Sequence, residues 1–393
     1  MLTEKDITLV KSTIPLLEEA GSAITEYFYN RMFKHNPELK DIFNMSNQHT
    51  GKQKVALFEA IAAYAKNIEN LAALTTAVER IAQKHTSFNI QPDHYNIVGH
   101  HLLATLRELA PDAFTAEIEQ AWANAYQFLA EIFISREDEL YTQRANTKGG
   151  WRGKRQFKVI EKLDESALVT SFIFAPIDNC DVIDYQVGQY LGIELTPNGA
   201  QNVEIRQYSL SNKPNGKTYR ISVKREQGQF PGLVSNHLHD NVKVGDLVDI
   251  HAPAGDFFFV DRQSPVVLIS AGVGVTPMQA MLEQMSDKQH KQKVHYIHAC
   301  ENNEQHSFKH RVLELCDKHA WQHNTWYKDK INDEANIHQG FIDFTSLELP
   351  TDTGHFYMCG PVGFMQFAKT SLVKLGICES RIHYEVFGPH ANL

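Results

Sequence analysis

Val266-Val267-Leu268-Ile269-Ser270-Ala271-Gly272-Val273-Gly274-Val275-Thr276-Pro277-Met278 is the stretch that decides how this chain is built. Four consecutive aliphatic residues, Val266 to Ile269, read as a strand covered on both faces, the pattern of a parallel sheet. A turn with two glycines follows, then a helical segment from Met278 to Met285. Gly272 and Gly274 let backbone come close to a pyrophosphate. Thr276 is expected to cap the helix and Pro277 to take its first position. Pro277 stands where the dinucleotide fingerprint G-x-G-x-x-G has its third glycine, so the strand-turn-helix setting carries the reading rather than the glycines alone. Cys359-Gly360-Pro361-Val362-Gly363 follows another strand in the same way, and Val294-His295-Tyr296-Ile297-His298 reads as a further buried strand. Residues 265–393 therefore read as an α/β doubly wound nucleotide-binding domain. Among its apolar neighbours Cys359 alone would be a small buried hydrophobe.

Upstream the pattern changes. Between Trp151 and about Val260 the segments Phe157-Lys158-Val159-Ile160, Leu168 to Phe172, Tyr190 to Leu195 and Tyr219 to Val223 are short, β-branched or alternating. Turn residues split them, and the expected fold over 151–260 is an antiparallel β-barrel. Arg206-Gln207-Tyr208-Ser209-Leu210-Ser211 concentrates the groups a flavin needs: an arginine for pyrophosphate, a tyrosine for the ring or ribityl chain, a serine for the ring edge. A solvated strand is the plainer alternative. Gly228-Gln229-Phe230-Pro231-Gly232-Leu233-Val234-Ser235 reads as a turn entering a helix, whose first amides attract phosphate.

Before the polar linker Asn146-Thr147-Lys148-Gly149-Gly150, residues 1–145 lack strand-like alternation and read as six or seven helices with short links, an all-α domain suited to globin-like packing. Asn36-Pro37-Glu38 reads as a helix start, as does Gln91-Pro92-Asp93. Thr115 is expected to cap a long helix to about Tyr141. Leu74, Val78, Ile81 and His85 follow one helical face, so the stripe ends in an inward-pointing histidine. On the last helix Ile118, Trp122, Ala125, Leu129 and Phe133 lead to Glu137 in the same register. A metal-bound histidine gives its second ring N–H to a carboxylate or carbonyl. Glu137 fits that role and Tyr95 could hold it. Taken singly, His85 reads first as a core histidine and Glu137 as a solvated helix-end residue; it is their combination that points to a metal site. Gln53 and Leu57 share a face, and with Tyr29 and Phe43 they would line a pocket for a small polar ligand.

The 393 residues suffice for two or three domains, and a net charge of −9 without a long basic tract makes nucleic acid and anionic membrane poor partners. The polar start is unlike a secretory signal, and no run is long enough to span a bilayer. Five cysteines without a C-x-x-C pair suit a reducing cytoplasm. Monomer is the default expectation.

With these motifs in place, the chain resembles a flavohaemoglobin, the nitric oxide dioxygenase family, from end to end. The resemblance implies a globin domain over 1–145, an FAD-binding barrel of the ferredoxin reductase superfamily over 151–260 and an NAD(P)-binding domain over 265–393. It implies haem b, FAD and NAD(P)H as cofactors and dioxygen and nitric oxide as substrates. By the same resemblance His85 is the iron ligand, Tyr95 and Glu137 its charge relay, and Tyr29, Gln53 and Leu57 the distal pocket. Phe43 packs on the porphyrin and Lys84 tunes the haem and flavin potentials. Flavin contacts are implied for Tyr190, Arg206, Gln207, Tyr208, Ser209, Gly232 and Ser235. Nicotinamide nucleotide contacts are implied for Gly272, Val273, Gly274, Val275, Thr276, Pro277, Cys359 and Gly360. The ending Tyr384-Glu385-Val386-Phe387-Gly388-Pro389 would lie against the flavin, with Glu385 between flavin and haem. Val187 replaces the family's usual proline before Gly188-Gln189. A flavin-dependent reductase of ferric or quinone acceptors, or an oxygen-storage or sensing globin, remains open beside the dioxygenase. No basic cluster for a 2′-phosphate directly follows Ala299, though Lys309, His310 and Arg311 come soon after, so NADH is favoured with tolerance for NADPH.

Overall fold

The computed structural model describes residues 2–43, 52–228, 231–329 and 335–388, with only the backbone of 20, 22, 52–56 and 58. The chain divides into two compact units, residues 1–147 with 151–153 and 194–205, and residues 148–150 with 154–193 and 206–393. No described helix is long and apolar enough to cross a membrane.

The first unit is helical. Its described α-helices are α1 (Glu4–Ser12), α2 (Ile14–Ala20), α3 (Ser22–His35), α4 (Lys52–Lys66), α5 (Thr75–Thr86), α6 (Pro92–Leu109) and α7 (Ala116–Asn146). Their starts follow local chemistry. Thr3 Oγ1 accepts the Asp6 N–H at 3.1 Å while the Asp6 carboxylate accepts the Thr3 N–H at 3.0 Å, a reciprocal cap. Pro92 opens α6, and Thr115 Oγ1 accepts from the Ile118 N–H at the head of α7. Asn36-Pro37-Glu38 departs from expectation. It yields only a 3-10 turn, Pro37–Asp41, without a side-chain cap. The Asn36 amide donates to Glu38 at 2.7 Å and its Oδ1 meets His101 Nε2 at 2.8 Å, so a tertiary contact takes the group that would have capped.

Val10, Leu17, Phe28, Met32, Leu39 and Trp122 centre the larger core, and a smaller cluster gathers Ala82, Tyr95, Ala130, Phe133 and Leu140. The Trp122 indole donates to Thr13 at 3.1 Å, so its polar edge is satisfied where its rings are buried. Gly99 lets α7 lie close on α6, since a Cβ there would stand 2.4 Å from the Tyr126 ring. The Tyr126 hydroxyl then donates to the Tyr95 carbonyl at 2.7 Å.

The second unit carries two six-stranded sheets, save for residues 194–195 and 204–205 at the ends of two strands, which fall in the first unit. The antiparallel one runs β4-β3-β6-β1-β2-β5, from β1 (Lys154–Asp164), β2 (Val169–Pro176), β3 (Tyr190–Leu195), β4 (Glu204–Ser209), β5 (Tyr219–Lys224) and β6 (Leu247–Ala254). Leu210, just past β4, bridges Ile221 in β5, and the Ser211 N–H donates to the Arg220 carbonyl at 2.9 Å. The two edges therefore meet, the closure that a barrel needs. The short helix α8 (Leu233–Asp240) precedes β6, a central strand that no segment read from sequence had anticipated.

The parallel sheet runs β10-β9-β8-β7-β11-β12, from β7 (Val266–Ala271), β8 (Val294–Cys300), β9 (Gln322–Tyr327), β10 (Ile337–Gln339), β11 (His355–Cys359) and β12 (Ile382–Glu385). Helices α9 (Val275–Asp287), α10 (Lys309–His319) and α11 (Val362–Lys374) connect them. Strand order reverses between β7 and β11, the switch point beside which doubly wound sheets bind nucleotides.

Candidate active site

Helices α5, α6 and α7 bring His85, Tyr95 and Glu137 together. His85 Nδ1 lies 2.7 Å from Glu137 Oε1 and 2.9 Å from the Tyr95 hydroxyl, which itself donates to the same carboxylate oxygen at 2.5 Å. Glu137 is 3 % exposed, so it is no solvated helix end. The geometry makes Nδ1 the protonated nitrogen, donating to the carboxylate, and leaves Nε2 as an acceptor. Among the described residues no hydrogen-bond partner meets Nε2, and the imidazole stays about one-third accessible. That orientation fits an iron ligand whose second nitrogen is held by the protein. Burial, then the neighbouring Glu137, pushes the Tyr95 phenol pKa far up, so it remains a donor. Phe133 packs against both the His85 and the Tyr95 ring.

A polar zipper flanks this triad. Arg136 grips Glu79 at 2.7 and 3.1 Å, and the Gln83 amide donates to Glu79 at 2.9 Å. Arg144 donates to Thr86 and to Gln83, each at 2.5 Å. It fixes α5 against α7 on both sides of the His85–Glu137 contact. The reading from sequence missed it, although Glu79, Gln83 and Thr86 recur at helical spacing on one helix and Arg136 and Arg144 lie two turns apart on the other.

Tyr29 belongs to the larger core cluster, and Phe43 and Leu57, partly buried, pack against it. The Tyr29 ring is 5.9 Å from Phe43 edge-on and 5.8 Å from Phe33 stacked. Gln53 lies on α4, and its side chain is outside the described residues. Lys84 precedes the ligand candidate on α5 and is half-buried.

At the switch point the two glycine motifs meet. A Cβ on Gly274 would fall 2.2 Å from the Cys359 carbonyl oxygen, so this glycine is where backbone packs on backbone. Gly272 differs. Its φ is +52° and nothing lies within 4 Å of where a Cβ would sit. Space is therefore open beside Gly272, at the switch point where doubly wound sheets bind nucleotides. Thr276 and Pro277 correct the expected cap. The helix begins at Val275, its N-cap residue is Gly274, and Thr276 Oγ1 instead donates to the Val273 carbonyl at 3.0 Å. The 3-10 turn Gly272–Gly274 runs straight into the helix, and Pro277 still falls within the first four residues, whose N–H groups lack helical partners.

In the barrel, Arg206, Gln207 and Tyr208 are half-buried on β4 and Ser209 is buried. Burial raises the Tyr208 phenol pKa, while Arg206 beside it acts the other way. Tyr190 lies against Gly255, where a Cβ would be 2.9 Å from its ring. Val187, buried in place of the expected proline, accepts the Phe259 N–H at 2.9 Å, and the Gln189 amide donates to the Gly255 carbonyl at 3.1 Å. Gly232 caps α8, and the Ser235 hydroxyl donates to its carbonyl at 3.3 Å. Gln229 and Phe230 of that motif lie outside the described residues.

Residues 26–133 match the family model of the globins, residues 156–259 that of the oxidoreductase FAD-binding domain and residues 268–370 that of the oxidoreductase NAD-binding domain. A flavohemoprotein of Vibrio cholerae serotype O1 is 60 % identical over the full length of both chains. The chain belongs to the flavohaemoglobin family. A crystal structure of a flavohemoglobin from Malassezia yamatoensis, with bound FAD and heme, is 29 % identical with a TM-score of 0.87, covering 98 % of this chain and all of that one. The FAD/NAD-binding domain of nitric oxide dioxygenase from Vibrio cholerae O1 biovar El Tor is 53 % identical with a TM-score of 0.58, covering 60 % of this chain and 99 % of that one.

The remaining family positions cluster at the carboxyl edge of the parallel sheet. Cys359 pairs in register with Ser270 of β7 and with Glu385 of β12. Burial, then Glu385, pushes the Cys359 thiol pKa well up, so it is a neutral thiol. Val386 packs on the core of this sheet, Phe387 is exposed, and Gly388 takes a φ of +124°. Pro389 lies outside the described residues.

Proposed function

We propose that this flavohaemoglobin is a nitric oxide dioxygenase that converts nitric oxide and dioxygen to nitrate with electrons from NAD(P)H. One NAD(P)H supplies two electrons, enough to turn two molecules each of nitric oxide and dioxygen into two nitrate ions, with release of one proton. The observation that carries this reading is His85, bound through Nδ1 to a buried carboxylate and turned to offer Nε2, in a chain that also holds a switch-point dinucleotide turn. Its close relative bearing the dioxygenase name supports it. An oxygen store needs no such electron supply.

When bound, NAD(P)H supplies hydride, FAD divides it into single electrons, and haem activates dioxygen. The chain's own residues do the rest. His85 holds the iron through Nε2 while its Nδ1–H donates to Glu137, and Tyr95 holds that carboxylate in place. The arrangement raises the imidazole's basicity and electron release. Tyr29 and Gln53 are the distal donors that stabilise negative charge on the reacting oxygens; Leu57 and Phe43 keep that side apolar, and Lys84 adds a cation near the proximal ligand. Arg206, Gln207, Tyr208, Ser209, Tyr190, Gly232 and Ser235 bind the flavin, helped by Glu385 to Pro389. The turn from Gly272 to Pro277, with Cys359 and Gly360, receives the nicotinamide nucleotide.

NADH is the preferred donor. Glu301 follows β8 where a carboxylate would receive a ribose 2′-hydroxyl. The nearby cations are engaged: Lys328 with Glu301 at 3.0 Å, Lys309 with Asn303 at 2.7 Å and Arg311 with Glu314 at 2.7 Å. All five cysteines are free, which suits a reducing cytoplasm. Anaerobic NADH should reduce first flavin and then haem, and aerobic addition of nitric oxide should yield nitrate in the two-to-one ratio to NADH consumed. A haem that stays oxidised under anaerobic NADH would return the chain to the reductase or carrier readings.

A further inference from the structure

Glu283 stands apart from every cofactor motif, yet it is 9 % exposed and sits in a dense polar network. It lies in the third turn of α9, the helix that starts at the nucleotide turn. Its Oε1 accepts from Arg220 of β5 at 3.1 Å and from the Gln279 amide at 2.9 Å, and its Oε2 accepts the Lys213 backbone N–H at 3.1 Å. Arg311 approaches Oε1 at 4.0 Å.

Arg220 is bound on both sides. Its Nε donates to the Ser211 hydroxyl at 3.1 Å, and its guanidinium also meets the Ser211 carbonyl. Ser211 ends the segment Arg206–Ser211 that carries the flavin contacts, at the point where the barrel closes. The guanidinium lies over the Phe308 ring at 5.3 Å, at the head of α10. One arginine thus holds the exit of the flavin segment and the carboxylate of the nucleotide helix. That helix is anchored in the core, since Val275, Met278, Ala280, Met281 and Leu282 are fully buried.

We propose that Glu283 and Arg220 form a positioning lock that sets the distance between the nicotinamide turn and the flavin segment, and so the rate of hydride transfer. This rests on the hydride-to-flavin half of the function proposed above. Neither residue is catalytic. They act through α9 and Ser211, and hydride transfer is sensitive to such placement because a displacement of about 1 Å can cost roughly a hundredfold in rate.

The test is Glu283→Gln, which keeps the volume and loses the charge, with Glu283→Asp as a variant that retains it, each in the full-length protein. Flavin and haem content should match wild type. In anaerobic stopped flow with NADH, the limiting rate of flavin reduction should fall by roughly tenfold or more in Glu283→Gln, with recovery toward wild type in Glu283→Asp. Combining Glu283→Gln with Arg220→Met should add little to the single changes, as for two groups acting as one unit. Independently of turnover, the Lys213 amide should exchange its hydrogen faster in Glu283→Gln without nicotinamide. Wild-type flavin that NADH does not reduce would defeat the functional reading itself. Normal wild-type reduction with an unchanged rate in Glu283→Gln, or unchanged Lys213 exchange, would defeat the lock alone.

Discussion

Glu137 and Glu283 are both buried carboxylates on helices, and they answer to opposite kinds of partner. Glu137, in the helical unit, faces an imidazole and a phenol and, among the described residues, no guanidinium. Its charge is free to act on the ring of His85. Glu283, in the second unit, faces a guanidinium, a backbone amide and a side-chain amide. Its charge is consumed in holding structure. A buried carboxylate matched to a full cation is a fastener, whereas one matched to a titratable ring can change that ring's electronic character.

The comparison breaks first at His85. His85→Ala should abolish the histidine-ligated haem spectrum while NADH oxidation by an artificial acceptor continues, because the flavin and nicotinamide motifs lie in the other unit. A five-coordinate histidine-ligated spectrum in this variant, read by absorption and resonance Raman, would exclude the ligand assignment.

Glu137→Gln comes next. Glutamine keeps an acceptor oxygen and loses the charge, so haem content should persist, the haem potential should rise, and nitric oxide turnover should fall by roughly 10–100-fold. Spectroelectrochemical titration decides this. An unchanged potential would make Glu137 a fastener like Glu283. Tyr95→Phe should shift the potential the same way by less.

A smaller effect is expected at Tyr29. Tyr29→Phe removes one hydrogen bond to a charged group, about 1.5 kcal/mol or roughly tenfold in dioxygen dissociation. Stopped-flow dissociation equal to wild type would remove Tyr29 from the distal donors.

The smallest effect separates the two units by pH. On β8 of the second unit burial pushes His295 and His298 down to about 4, and in the connection after it burial pushes His306 down to about 2. The helical unit has His101, pushed to about 4 by burial and Arg31. Each is neutral when folded and takes a proton in the unfolded chain below about 6.5. The stability they contribute is therefore complete above that value and is lost as pH falls toward the folded values. Scanning calorimetry at pH 7 and pH 5 should show the transition of the second unit moving down by more degrees than that of the first. Equal shifts would mean that these imidazoles are not held neutral.

Sequence alone made Glu137 visible because α7 has a dry face: a carboxylate in register with Trp122, Ala125 and Phe133 stands out against it. It made the nucleotide turn visible because a short aliphatic run can break into glycines only where backbone must do something a side chain would prevent. Glu283 had no such background. On α9 Thr276, Gln279 and Ser286 are buried along with the apolar residues, so no stripe marks a special face. The role of Gly274 was equally hidden, since the carbonyl it makes room for belongs to Cys359, far along the chain. The same holds for Asn36, whose capping group His101 claims, and for the zipper of Arg136 and Arg144. Local periodicity reports which side of an element is dry, because that depends on neighbours three or four residues away. Which two dry sides meet, and which charge finds which, depends on packing between distant segments, and only the folded chain decides it.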